Sequence, residues 1–121
     1  MIHKDMEVYK SSMLLVKYIY ELSSAFPKEE IYGLTSQMRR AAVSVPSNIA
    51  EGSGRRSPKE LLQFLNIALG SLVELETQLE IAHMLKFSID KEKHKVIEDQ
   101  VLKVKQLLLG LIRSMRAKST V

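Results

Sequence analysis

Leu61, Leu65, Ala68, Leu72, Leu75, Leu79 and Ala82 recur every 3 or 4 residues without a gap. That spacing returns apolar side chains to one face of an α-helix, and a strand, whose side chains alternate, cannot follow it. The run also has a sharp start. Ser57, Pro58 and Glu60 supply an N-cap, a proline at the first helical position and the glutamate of a capping box. Leu62, Phe64, Ile67, Leu69 and Val73 add apolar surface outside the stripe, so this helix is expected to be covered on more than one side.

Three more segments carry the same period. Over roughly 5–25, Val8, Leu15, Ile19, Leu22 and Phe26 keep it, with Ser12 in one skipped position. Pro27 and Gly33 then punctuate the chain. Over 34–52 the stripe is Leu34, Met38, Ala41, Val45 and Ile49. Pro46 lies inside it and cannot donate to the Ala42 carbonyl, which predicts a kink rather than two helices. Gly52 is expected to end this helix as a left-handed residue after the C-cap. Over 90–116 the stripe is Ile97, Val101, Val104, Leu108, Leu111 and Met115, with Leu107, Leu109 and Ile112 in surplus. No segment alternates as a half-buried strand does.

The expected fold is therefore all-α: an antiparallel up-down-up-down four-helix bundle with a kink near Pro46 and helices crossing near +20°. A chain of 121 residues suits one such domain, spanning 1–121. The surplus apolar surface on the third and fourth helices predicts self-association. Gly70, mid-helix, costs about 1 kcal/mol relative to alanine. With Ala68 and Ser71 beside it, that predicts a close helix crossing, either inside the bundle or between subunits.

Several classes of function are set aside by composition. No run of about 18 apolar residues is present to cross a bilayer, and the opening MIHKDMEVYK is charged where a signal peptide is apolar. The expectation is a soluble, cytoplasmic protein with no membrane partner. Cysteine is absent, which removes disulfides, thiolate nucleophiles and cysteine-based zinc sites. Glu74, Glu76 and Glu80 hint at a carboxylate-rich metal site. Such sites in bundles need two Glu-x-x-His motifs, and only Glu80 to His83 matches. No metal and no cofactor are expected. His94 lies in a charged first turn and His3 in a terminus expected to fray, so both are expected to be solvated; no G-x-S-x-G is present, and a non-enzymatic protein follows.

What remains is charge. The formal net charge is +4, unevenly spread. Residues 34–56 carry Arg39, Arg40, Arg55 and Arg56 against the single acid Glu51, and residues from 88 onward carry eight basic against four acidic residues. The stretch NIAEGSGRRSPKE fails both nucleotide-loop patterns: it lacks G-x-G-x-x-G after a strand, and it lacks a Gly-Lys-Ser/Thr ending. It reads first as a turn between helices, with Arg55 and Arg56 beside it as anion contacts. Arg40, Ser44, Ser47 and Glu51 share a stripe that suits a polar network, whereas Arg39 suits phosphate contact. The candidate nucleic-acid-binding residues are Arg39, Arg40, Arg55, Arg56, Lys91, Lys95 and Lys103, with Lys93 and Lys105 in the same lysine-rich helix. Repetition in an oligomer would multiply a weak patch. The alternative is a protein-interaction scaffold in which the charge serves solubility.

The run QMRRAAVSVPSNIAEGSGRRSPKELLQFLNIALGSLVELETQLEIA joins R-R-A-A-x-S-x-P-x-N-I-A-E-G to S-x-K-E and to F-L-x-I-A-x-G-S-L-x-E-L-E-T. In that ordered combination it resembles the bacterial four-helix-bundle family of proteins encoded in intervening sequences of 23S rRNA genes. Tyr9 stands where relatives often carry tryptophan. The resemblance implies a bundle assembling as a homopentamer. It also implies a distant kinship with the accessory variability protein of diversity-generating retroelements, a basic pentameric barrel that binds nucleic acid and a reverse transcriptase. RNA or a ribonucleoprotein is accordingly the implied partner, and no catalytic residues are carried over.

Overall fold

The computed structural model describes residue 3 and residues 6–119. Four helices follow in order: α1 (Glu7–Ser23), α2 (Leu34–Ser53), α3 (Pro58–Met84) and α4 (Lys91–Ser119). A single 3₁₀ turn, Lys28–Glu30, lies between α1 and α2, and no strand occurs among the described residues.

Local chemistry explains the boundaries. The Ser57 hydroxyl accepts from the Glu60 amide at 3.1 Å and Pro58 opens α3, so the N-cap forms as its residues require. Asp90 does the same for α4, its Oδ1 accepting from the amides of Glu92 and Lys93 at 3.1 Å each. α2 is one helix through Pro46, which is buried. α3 ends in a Schellman arrangement: the Phe87 amide donates to the Ala82 carbonyl and the Lys86 amide to that of His83. Lys86 takes the left-handed conformation this needs, with φ of 62°. Phe87 then packs its ring against Phe26, 5.7 Å between centroids.

Each helix packs against its neighbours in the chain, and α4 closes onto α1, while among the described residues the diagonal pairs α1/α3 and α2/α4 bring no Cα atoms within 8 Å of each other. Cross-helix contacts show that all four neighbours are antiparallel. Arg39 at the start of α2 reaches Ser23 and Tyr20 at the end of α1. The Ser44 and Ser71 hydroxyls meet at 2.8 Å between α2 and α3. Lys105 reaches Glu76 and His94 stacks on His83 between α3 and α4. Gln100 donates to the Ser11 carbonyl between α4 and α1.

The core follows the stripes: Val8, Leu15, Ile19 and Leu22; Met38, Ala41, Val45 and Ile49; the complete α3 run except Leu61, which is half-buried; and Ile97, Val101, Val104 and Leu108. Ser12 is fully buried and satisfied by donating to the Tyr9 carbonyl at 2.8 Å. At the end of α4, Ile112 and Met115 are buried, and Leu111 is only half-buried.

Gly52 departs from expectation, and at Gly70 the first of the two expected crossings is absent. Gly52 is not left-handed; no glycine has a positive φ, and Gly52 is buried in the last turn of α2. A methyl carbon there would lie 2.8 Å from Phe64 Cβ and 2.9 Å from Leu61 Cδ1, so the glycine lets α2 and the first turns of α3 meet. Gly70 is not at a crossing inside the bundle. It is exposed, and nothing lies within 4 Å of the position its Cβ would take.

Candidate nucleic-acid interface

Antiparallel packing sorts the candidate residues to opposite ends of the bundle. Arg39 and Arg40 belong to the first turns of α2, at the end where Lys91 and Lys95 open α4. Arg55 and Arg56 lie just beyond the other end of α2, about 20 Å away along the axis at 1.5 Å per residue. Lys103 stands midway along α4, against the first turn of α1. The seven candidates do not form one patch.

Their local bonding separates them further. Arg39 is held inside the fold: its Nε donates to Ser23 Oγ at 2.8 Å, a terminal nitrogen donates to the Tyr20 carbonyl at 3.3 Å, and its guanidinium lies 4.6 Å from the centre of the Tyr20 ring. That arginine ties α2 to the end of α1, with two of its five N–H donors engaged there. The polar network expected of Arg40, Ser44, Ser47 and Glu51 does not form as such: only Ser44 joins a network, and Glu51 pairs with Arg55 instead. Asn48 donates to the carbonyl and hydroxyl of Ser44, and Ser44 meets Ser71, while Arg40 is exposed with no partner among the described residues.

Arg55 pairs with Glu51 at 2.5 Å and lies over the Phe64 ring, 4.8 Å from its centroid. Lys95 pairs with Asp99 at 3.0 Å, which raises its pKa. Lys103 pairs with Glu7 at 3.3 Å; this contact and the Ser11 hydroxyl hold the Glu7 carboxyl below its ordinary value. Such exposed pairs contribute little to stability and exchange readily for other partners. Arg56 and Lys91, like Arg40, have no ion pair or side-chain hydrogen bond among the described residues.

The structure also brings in residues that sequence reasoning left out. Because α3 and α4 run antiparallel, the last turns of α4 lie beside the first turns of α3. Arg113, Arg116 and Lys118 thereby join Arg55, Arg56 and Lys59 at the α2–α3 junction, all six exposed. Residues 51–60 and 110–119 together hold these six basic residues and only two acids, Glu51 and Glu60. They account for the whole formal excess of +4, and the rest of the chain is balanced. Of the six, only Arg55 is engaged in an ion pair among the described residues. The signal was present in the sequence, but reading it requires knowing that segments about 60 residues apart share one end of the bundle.

The carboxylates of α3 do not gather into a metal site. Glu76 is paired with Lys105, Glu74 accepts from Gln78, and no three His, Asp or Glu side chains among the described residues are arranged to hold an ion. His94, expected to be solvated, is mostly covered. It stacks on His83 with centroids 4.7 Å apart and approaches Glu98 at 3.2 Å. No helix among the described residues is long and apolar enough to cross a membrane.

Comparison with curated proteins finds no match. A crystal structure of a protein of unknown function from the S23 ribosomal protein family of Bacteroides thetaiotaomicron superposes with a TM-score of 0.80 at 24% identity, covering 93% of this chain and 99% of that one. At that identity the likeness is one of fold. The model of the 23S rRNA-intervening sequence proteins matches residues 4–110, most of the length, and the chain belongs to that family.

Proposed function

We propose that this protein is a non-enzymatic, self-associating cytoplasmic bundle that binds RNA or a ribonucleoprotein through the end formed by the α2–α3 junction and the last turns of α4. The observation that carries the reading is the concentration of the entire net charge there, on exposed side chains that are almost all unpaired. Arginine forks and lysine points suit phosphate oxygens, and neutralising phosphates releases condensed counterions. The family's name, which refers to 23S rRNA, agrees in kind. One subunit offers few contacts. Several copies on one RNA raise the effective affinity without new chemistry, and five is the number the family resemblance implies.

Titration of a structured RNA at several salt concentrations tests this. Binding is expected to weaken steeply as salt rises, by roughly 0.7–0.9 in log K per log salt for each phosphate contact. Arg56→Ala/Arg113→Ala/Arg116→Ala is expected to weaken binding at least tenfold at low salt and to flatten the slope. Arg40→Ala/Lys91→Ala, at the other end, is expected to change neither. Equal losses in both variants, or no binding at low salt, would defeat the proposal.

A second reading, a protein-interaction scaffold, draws on the exposed Ile67, Val73, Leu102 and Leu109 of α3 and α4. Partners recovered from lysate that survive nuclease treatment would favour it.

A further inference from the structure

The outward face of α3 is unlike the rest of the surface. In a protein with 26% charged residues, α3 carries just two charges between Leu61 and Leu79, Glu74 and Glu76, and Glu76 is already paired with Lys105. Opposite the buried stripe the helix presents Gln63, Asn66, Ile67, Gly70, Val73 and Thr77, all exposed. Ile67 and Val73 leave 52% and 46% of their surfaces in water, and Gln63 and Asn66 make no side-chain hydrogen bond among the described residues. At the centre stands Gly70, with no neighbour within 4 Å of a would-be Cβ and no positive φ, so nothing within the subunit calls for glycine there.

The face is also self-complementary. In two antiparallel copies of α3 crossing at Gly70, residues whose numbers add to 140 oppose each other. Ile67 then meets Val73 of the partner subunit, and the partner's Ile67 meets Val73. Gln63 falls opposite Thr77 of the partner subunit, and Asn66 opposite Glu74 of the partner subunit, an amide facing a carboxylate. Lys59 falls opposite the partner's Ile81, one position from Glu80 of the partner subunit, which places a cation near an anion. Glu60 of each copy falls opposite the partner subunit's Glu80 at the outer edges of the contact, and no other like charges on α3 are set against each other. A contact between identical surfaces about a two-fold axis requires this matching, and an unrelated partner does not. Glycine at the axis lets the two backbones approach closely.

We propose that the outer face of α3 is a two-fold contact between copies of this chain, with the axis at Gly70. This deepens the self-association part of the reading above and is independent of RNA. Within a ring of subunits, the contact would join rings in pairs.

The absence of native cysteine makes the test direct. Facing Cα atoms at interaxial distances of 8–10 Å lie about 3–5 Å apart for helices of 2.3 Å radius, close enough for the shorter disulfide spans. Gly70→Cys has room to fold, because its Cβ meets nothing. On mild oxidation it is expected to form a covalent dimer about a hundredfold faster than Lys17→Cys, an exposed position on α1. Gln63→Cys and Thr77→Cys are expected to cross-link when mixed, and neither alone. Light scattering on the unmodified protein separates the two ideas. A monomer would overturn self-association and this contact together. An oligomer in which Gly70→Cys cross-links no faster than Lys17→Cys would overturn this contact alone.

Discussion

A methyl group added at Gly52 falls inside contact distance of Phe64 Cβ and Leu61 Cδ1, and neither the Phe64 Cβ nor the helix that carries it can give way cheaply. Gly52→Ala is therefore expected to destabilise the fold by about 1–3 kcal/mol, the usual cost of overpacking. Gly110, also mid-helix, has only the flexible Arg113 side chain nearby, at 3.9 Å. Gly110→Ala is expected to stabilise by about 0.5–1 kcal/mol through helix propensity. Urea unfolding of both variants, read as shifts of opposite sign, checks the pair. The comparison also marks what sequence reasoning can reach at this scale. Gly52 stands just before a serine-capped helix, so it reads as a terminator. Its actual reason for being glycine is Phe64, twelve residues on and in another helix. Arg39 is a similar case: its neighbours in sequence suggest phosphate, and its partners Ser23 and Tyr20 appear only once α1 is folded against α2.

Among the elements, α3 is the most legible, because cap, proline and an unbroken stripe all point the same way and the helix begins at Pro58 as expected. α4 is less so near its end. Leu107, Leu108, Leu109, Leu111 and Ile112 are apolar on every side, and only the packed bundle selects Ile112 over Leu111 for burial. The turn between these helices was not legible at all. Its left-handed residue is Lys86, where glycine or asparagine is usual, and a side chain in that conformation costs about 1–2 kcal/mol. Lys86→Gly keeps the amide that donates to His83 and removes the strain. Part of that gain is offset by the greater freedom of glycine in the unfolded chain, so a rise of about 1 kcal/mol in unfolding free energy is the expected result. A calorimetric scan with an unchanged or lower midpoint would mean that the turn relaxes without cost to the helices.

For the whole molecule, the four-helix architecture was readable from period and breaks, while the candidate interface was readable only in part. Residues 34–56 and 88–121 each looked basic, yet the fold cuts across both segments and assembles its excess from the end of one and the end of the other. This makes the distribution of charge, rather than its total, the quantity on which RNA binding depends in the proposed reading. The two are separable. Arg113→Gln/Arg116→Gln lowers the net charge by two at the α2–α3 junction end. Adding Glu21→Gln/Glu29→Gln restores the total of +4 by removing acids at the opposite end, where both are exposed. If long-range attraction to the molecule as a whole governed affinity, the fourfold variant would recover it. Counterion release by local phosphate contacts predicts otherwise. The fourfold variant should bind RNA as weakly as the twofold one, with the same reduced salt slope, because at about 0.15 M salt the screening length of about 8 Å is far shorter than the bundle. Recovery to within a factor of about two of the parent affinity would place the interaction in the overall field and remove the junction from its special role.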